Sequence, residues 1–369
     1  MNTGRTIVLI AAAAAVGLVS AAWAQDSVSQ IPTTGEKVEG APATVTRDWG
    51  TFKLADRIAA KLKAGDTINY VFSYQGSGIP LFSPQYAAGF QMGCEMGKKI
   101  MPNMSCASIA PVQTDANQQV SQIEAKLAAG EIDCISIEPV TSDSTTSIVN
   151  KLMDQGIPVF TAGVTSRGHE FTNFTQVPMK EGQTAGQAVL DWMKANNKDI
   201  KVFAVSGGDP TQFWAQGRMK GFRETIQAAI PDAKFVTTED NALNVSYDPG
   251  QTYDAYRTFL SANPSVQFIE NVDIGAEHAD RAIKSLNRVG KVFTVGWNVS
   301  KGQLDAIDAG IQVAAFDQRW PDQAAFGGPA CAQFLKNGVI LPNTQTLRPV
   351  TKDNVAQARK ELDQTMSQK

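Results

Sequence analysis

Arg218 stands near the start of a helical pattern, between Trp214 and Phe222, and Asn298 follows directly on an apolar strand, "VFTVGWN". Phe82, Tyr86, Trp214, Tyr247, Trp297 and Trp320 fall in predicted loops or at predicted element ends. A guanidinium is a planar fork of donors, an amide both donates and accepts, and aromatic rings offer flat apolar faces. Together such groups do noncovalent chemistry: they stack on a guest and hydrogen-bond to it. Each also has a plainer reading. Arg218 can be a solvated helix arginine, Asn298 an Asx turn or helix cap, and any single loop aromatic a lid over the core. A whole set of aromatics at the ends of elements weighs toward a binding cleft.

Covalent and metal chemistry find little to use. His169 and His278 are the only histidines, and Cys94, Cys106, Cys134 and Cys331 contain no C-x-x-C pair, so a zinc site is not expected. "GSGIP" lacks the third glycine of a dinucleotide fingerprint. "SGGDP" (206–210) lacks the Lys-Ser/Thr of a phosphate-binding loop, and no G-x-S-x-G elbow occurs. No enzyme activity, cofactor or metal is expected. Asp154, Asp191 and Asp199 read as surface residues.

The surroundings of these residues are bounded by composition. With 43% hydrophobic and 19% charged residues, a chain of 369 residues should fold, and into more than one lobe. A net charge of −3 offers no basic stripe for nucleic acid. The N-terminus carries Arg5, an apolar run from Ile7 to Ala22 and the small-residue pattern Ala22-Trp23-Ala24. That is the form of a secretory signal cut after Ala24. Export permits disulfides, so the cysteines are either buried thiols or form one or two bridges.

Residues 25–46, rich in Pro, Thr, Gly and Ala, read as a lead-in. Phe52, Ala55, Ile58, Ala59 and Leu62 predict a helix within 49–65, stopped by Gly65. From residue 67 onward strand and helix patterns alternate. The strands fall at 67–73, 105–110, 132–138, 157–162, 200–206, 233–238, 266–271, 291–296 and 312–317. The helices include 120–130, 182–197, 215–230 and 276–290. Strands apolar throughout and joined by helical crossovers imply parallel sheets covered on both faces. The fold class is therefore α/β, two doubly wound lobes. In "ISIEPVTSD" (135–143) the strand should end at Pro139 and "TSD" should cap the next helix. Ligands of such sheets bind beyond the C-terminal strand ends.

The stretch "QTDANQQVSQIEAKLAAGEIDCISIEPVTSDSTTSIVNKLMDQGIPVFT", with "GRMKGFRETI", "VFTVGWN" and "VAAFDQ", resembles the periplasmic sugar-binding proteins of the ribose-binding type. The resemblance covers roughly residues 67–350. It implies two parallel-sheet lobes joined by three crossing segments. It also implies hinge closure over a sugar and delivery to the membrane permease of an ABC transporter. The implied bounds are lobe 1 at 66–176 and 318–345, and lobe 2 at 177–317 and 346–352. A 25–65 extension precedes them and a C-terminal helix over 353–369 follows. Carried over by position, the implied ligand residues are Gln85, Tyr86, Arg218, Tyr247, Asn271 or Asp273, Asn298 and Gln318; Phe82, Trp214 and Trp297 join the expected set from their own placement at element ends. Glu138 reads as structural, contacting backbone. Where the family has Asp-Arg after "GIPVFT", this chain has Ala162, Gly163 and Val164, so the guest should not sit as ribose does. With no charged cluster expected at the strand ends, the expected guest is a neutral monosaccharide or sugar alcohol. The implied strand order keeps Cys106 and Cys134 apart and favours Cys94–Cys106.

Overall fold

The computed structural model describes residues 31–367 apart from Pro80, Leu81 and Gln176. The expected signal segment, 1–24, lies outside the described residues. Two parallel sheets organise the rest. The first orders Thr344–Gln345, Asn173–Thr175, Val159–Gly163, Cys134–Ile137, Ile68–Ser73 and Met104–Ile109, every pair parallel. The second orders Lys234–Phe235, Val202–Gly207, Phe268–Asn271, Phe293–Trp297 and Gln312–Asp317 in parallel, then Arg348–Val350 antiparallel at the edge. Leu243–Asn244 also pairs with Val202–Gly207. The chain passes between the sheets after Thr175, after Asp317 and between Gln345 and Arg348.

The strand interiors are buried on both faces, as their unbroken apolar runs require. Val71, Phe72, Ile135, Ile137, Val159 and Phe160 fill lobe 1, and Phe203, Val205, Phe268 and Val295 fill lobe 2. The helix Phe82–Ile100 lies on Trp320–Ala325 and Gly327–Ala332 through a stripe of small residues. A Cβ at Gly89 or Gly93 would come within 2.2 or 2.3 Å of a backbone oxygen, of Pro321 or Ala325. Glycine there lets two backbones touch, and that contact fixes where the first turns of the helix sit.

Ile68–Ser73 separates the strands bearing Cys106 and Cys134. Cys94 is bridged to Cys106 and Cys134 to Cys331, with Cα separations of 6.1 and 6.0 Å, so all four thiols are used within lobe 1.

The structure corrects the sequence reading in three places. Residues 49–53 are not helical: Thr44–Arg47 and Gly50–Lys53 form an antiparallel hairpin, and the helix runs only from Asp56 to Ala64, ending on left-handed Gly65. Gly50 adopts φ 139°, a conformation a helix cannot use. Second, Phe82, Gln85 and Tyr86 are not on a loop but on the first turns of Phe82–Ile100. Third, "TSD" does not cap Thr146–Asp154. Thr141 and Ser144 bond each other's backbone N–H groups in a closed turn, and Thr145 at the cap makes no side-chain bond.

The extension is clamped to lobe 1. Arg57 and Lys61 both pair with the fully buried Asp133, Lys61 at 2.7 Å, and Asp133 also accepts the Asn69 N–H at 2.8 Å. Trp49 stacks on His169 with ring centroids 5.0 Å apart. At the other end, Val355–Ser367 seats Val355 and Ala358 on Val299, Leu304, Ile307 and Ala315 of lobe 2.

Candidate functional site

Arg218 is the centre of the lobe 2 cluster. It stands in the second turn of Phe213–Ala229, buried, with its guanidinium 5.1 Å from the ring centroids of both Trp214 and Trp297. Nε donates to Glu181 Oε2 at 2.8 Å, one terminal nitrogen to the Val272 carbonyl at 2.9 Å, and the other to Gln318 Oε1 at 2.8 Å. Gln318 in turn donates through Nε2 to Asn298 Oδ1 at 2.6 Å. Asn298 takes a left-handed φ of 66° at the end of Phe293–Trp297, a conformation that asparagine tolerates. These bonds hold Arg218, Gln318 and Asn298 in one fixed arrangement at the C-terminal strand ends. The Glu181 carboxylate balances the Arg218 charge, so the cluster offers directed donors without a free cation.

Asp273 lies beside it. Its Oδ1 accepts the Gly275 N–H at 3.0 Å and its Oδ2 accepts the Gly208 N–H at 2.5 Å. Burial pushes the Asp273 carboxyl up, and the two glycine N–H groups and Arg218 oppose that shift. Tyr247 covers Gly208: a Cβ there would meet the tyrosine ring at 2.4 Å. The Tyr247 ring remains half-exposed, which suits a face that covers a guest.

Phe82, Tyr86 and Trp320 gather in lobe 1. Phe82 stacks on Tyr86 with centroids 4.0 Å apart and meets Trp320 edge-on at 5.3 Å. The Tyr86 hydroxyl donates to Gln323 Oε1 at 2.7 Å. Glu138 accepts the Gln75 backbone N–H at 2.9 Å and the Gln75 amide at 3.1 Å, the backbone contact expected of it. Burial pushes Glu138 up to about 8, against the Gln75 N–H. Burial, then the Glu138 charge, raises the Tyr86 hydroxyl.

This cluster explains the departure at 162–164. Gly163 has φ 66°, and a Cβ on it would fall 2.9 Å from Glu138 and 3.0 Å from the Tyr86 oxygen. The place of a strand-end acid is already filled by Glu138 from the neighbouring strand. The strand ends thus carry the carboxyl groups of Asp273, a member of the expected ligand set, and of Glu138, expected to be structural, where no charged cluster was expected.

Three expected ligand residues are placed elsewhere. Asn271 is fully buried: Nδ2 donates to the Tyr256 hydroxyl at 2.7 Å, while Oδ1 accepts the Asp273 and Gly275 N–H groups at 3.1 Å. It shapes the loop that presents Asp273. Trp297 is also fully buried, packed between Arg218 and Phe316, so its face supports the guanidinium. Gln85 neighbours Tyr86 in sequence, but a step of one residue turns about 100° around a helix. It lines instead a groove of about 550 Å³ with Glu95, Arg319, Arg348, Glu361 and Gln364. Sequence reasoning missed Glu181 and Gln323, which carry no local signal. Among the described residues, no group of three or more His, Cys, Asp or Glu could hold a metal ion.

The family model of the periplasmic binding protein domain matches residues 70–338. Among solved structures, an arabinose-binding protein from Geobacillus stearothermophilus is 22% identical with a TM-score of 0.62, covering 79% of this chain and 99% of that one. An ABC transporter solute-binding protein from Bacillus halodurans with bound myo-inositol is 17% identical, TM-score 0.66, covering 80% and 99%. Another from Bradyrhizobium with bound Bis-Tris is 16% identical, TM-score 0.65, covering 90% and 95%. No curated protein sequence matches the chain. At these identities the solved structures show a shared fold. The family match spans well over half of the chain, and the protein belongs to the periplasmic binding protein domain family.

Proposed function

We propose that this protein captures a neutral monosaccharide or sugar alcohol between its lobes and delivers it to the membrane permease of an ABC importer, acting as a monomer in the periplasm. The chain Arg218–Gln318–Asn298, charge-balanced by Glu181, carries the reading. Pre-set donors on a guanidinium already paired with a carboxylate suit hydroxyl oxygens, while a phosphate or a free carboxylate would need an unpaired cation. The aromatics Phe82, Trp214 and Tyr247 supply the apolar faces that a sugar ring's C–H surface requires, with the buried Tyr86 ring backing Phe82. Arabinose and myo-inositol, the guests named for two structural neighbours, are of this class. The Ala24 cleavage pattern supports the compartment, and no helix among the described residues is long and apolar enough to cross a membrane.

A second role, as ligand sensor for a signalling receptor, uses the same cleft and differs only in its partner. Pull-down with the purified permease against a receptor ectodomain separates the two. The binding reading is tested by a thermal-shift screen of pentoses, hexoses and polyols. A ligand at about 100 times its Kd should add roughly 2.7 kcal/mol. Arg218→Ala and Asn298→Ala should each weaken the hit about tenfold or more, as loss of a buried hydrogen-bond donor implies. The proposal fails if no polyhydroxy compound stabilises the protein. The site assignment fails if both variants, measured on folded protein, keep full affinity.

A further inference from the structure

We propose that Gln323 is a positioning residue that ties the lobe 1 half of the site to the second crossing and sets the hydrogen-bond polarity of that half. It is buried in Trp320–Ala325 of lobe 1, directly after the second crossing. Its Oε1 accepts the Tyr86 hydroxyl at 2.7 Å, and its Nε2 donates to the backbone carbonyl of Gln318 at 2.8 Å. The same carbonyl accepts the Thr346 hydroxyl at 3.1 Å, from the third crossing. The Gln318 side chain meanwhile ties Arg218 to Asn298. One amide therefore links the lobe 1 aromatic cluster to the hinge residue whose side chain organises lobe 2.

The orientation of that amide is forced. A backbone carbonyl can only accept, so the end of Gln323 facing Gln318 must be the NH₂ group. Oε1 then faces Tyr86, and the Tyr86 proton is committed to it. Toward a guest Tyr86 can offer only oxygen lone pairs. On the other side, Asn298 spends its carbonyl on Gln318, leaving its amide nitrogen as the donor. Gln323 thereby makes lobe 1 the accepting face at Tyr86, opposite a lobe 2 that the Arg218–Gln318–Asn298 chain makes the donating face. Arg319, the next residue of the crossing, has a left-handed φ of 58°. A non-glycine residue there needs its neighbours to hold it, and the clamped Gln318 carbonyl is adjacent.

This inference rests on the proposed sugar-binding reading for its affinity arm, and a ligand-free arm tests it separately. Gln323→Glu is isosteric, but when ionised it sets a carboxylate oxygen against the Gln318 carbonyl. The folded Gln323→Glu protein should bind the best sugar of the screen about tenfold or more weakly at pH 8 than wild type. It should recover toward pH 5, where a protonated Glu can donate to the carbonyl. Tyr86→Phe should abolish much of the further effect of Gln323→Ala on affinity, because both remove the same relay. In the ligand-free arm, amide exchange over residues 316–319 should speed up at least about tenfold in Gln323→Ala. Unchanged exchange at the hinge overturns the proposal whatever the sugar screen returns. So does a pH-independent, wild-type affinity in Gln323→Glu. A wild-type protein that binds no sugar but shows the exchange change would sink the sugar reading and leave the hinge role of Gln323 standing.

Discussion

Removing the Arg218 charge should destabilise the protein even without a guest. Arg218→Met keeps most of the side-chain volume between Trp214 and Trp297 but deletes every donor. Glu181, itself buried, then loses the partner held at 2.8 Å. Breaking a buried pair from one side costs about 3–5 kcal/mol, chiefly through the carboxylate left without compensation. The Val272 carbonyl and Gln318 Oε1 each lose a donor as well, adding about 1 kcal/mol where relaxation is incomplete. A total of roughly 4–6 kcal/mol corresponds to a fall of about 10 °C or more in the lobe 2 transition, at 2–4 °C per kcal/mol for a unit of this size. Apolar replacement of both partners, Arg218→Met with Glu181→Met, should restore most of that loss, because replacing a buried ion pair by packed apolar groups is often close to neutral. The assay is urea unfolding of ligand-free protein followed by tryptophan fluorescence, with the four proteins forming a double-mutant cycle. A coupling below about 1 kcal/mol would refute the reasoning: Glu181 would then not depend on Arg218, and the charge balance assigned to the site would be wrong.

Glu138→Gln should make the protein less sensitive to alkaline pH. The Glu138 carboxyl titrates near 8 when folded, against an ordinary 4.5, because burial disfavours its charge. Below pH 4.5 both states hold the proton and no penalty exists. Between 4.5 and 8 only the folded state keeps it, so wild-type stability falls by about 1.4 kcal/mol per pH unit, and above 8 the loss is complete. The advantage of Glu138→Gln in the thermal midpoint should therefore be absent at pH 4.5 and grow up to pH 8; an advantage independent of pH contradicts the assignment. Replacing Arg57 and Lys61 together by Ala should cost lobe 1 about 3–5 kcal/mol by stranding the buried Asp133. Denaturant unfolding checks this, and Asp133→Ala on that background should recover part of the loss.

The sheets were legible because buried parallel strands carry their signal in every residue. Cys134–Ile137 and Gln312–Asp317 are apolar runs between helical patterns, and the structure places strands there within one or two residues of the expected bounds. The hairpin at 44–53 was not legible. Phe52 keeps phase with Ala55, Ile58, Ala59 and Leu62, so a helical stripe runs through it, and only Gly50 signals otherwise. Among the expected site residues, Arg218, Asn298 and Gln318 are drawn together, and they stand at ends of elements where position in the sequence predicts position in space. Gln85 adjoins Tyr86 in sequence, but one residue along a helix turns the side chain by about 100°, so it lines a different groove. Asn271 ends its strand and spends its amide on the Tyr256 hydroxyl and the loop that presents Asp273.

The residues that hold the site are a different case. Glu181 lies 37 residues from Arg218, and Gln323 lies 237 from Tyr86. Neither sits in a motif, and each is an ordinary helix residue until its partner is known. Yet Glu181 pairs with Arg218, and Gln323 accepts the Tyr86 proton. Glu138 shows the consequence for the guest. Its side chain and the Tyr86 hydroxyl occupy the space above Gly163, where the resemblance places an anchoring acid. A carboxyl that burial pushes up and a tyrosine oxygen stand where the resemblance implies a charged pair, so lobe 1 contributes shape and aromatic surface. Lobe 2 retains the charged groups, with Arg218 and Asp273 each fixed by bonds inside that lobe. On the proposed reading, orientation of the guest's hydroxyls is set by lobe 2, and lobe 1 selects by how well a ring fits against its aromatic cluster. Among stereoisomers of one sugar, lobe 2 variants should change which isomer binds, whereas Phe82→Leu should weaken all of them about equally.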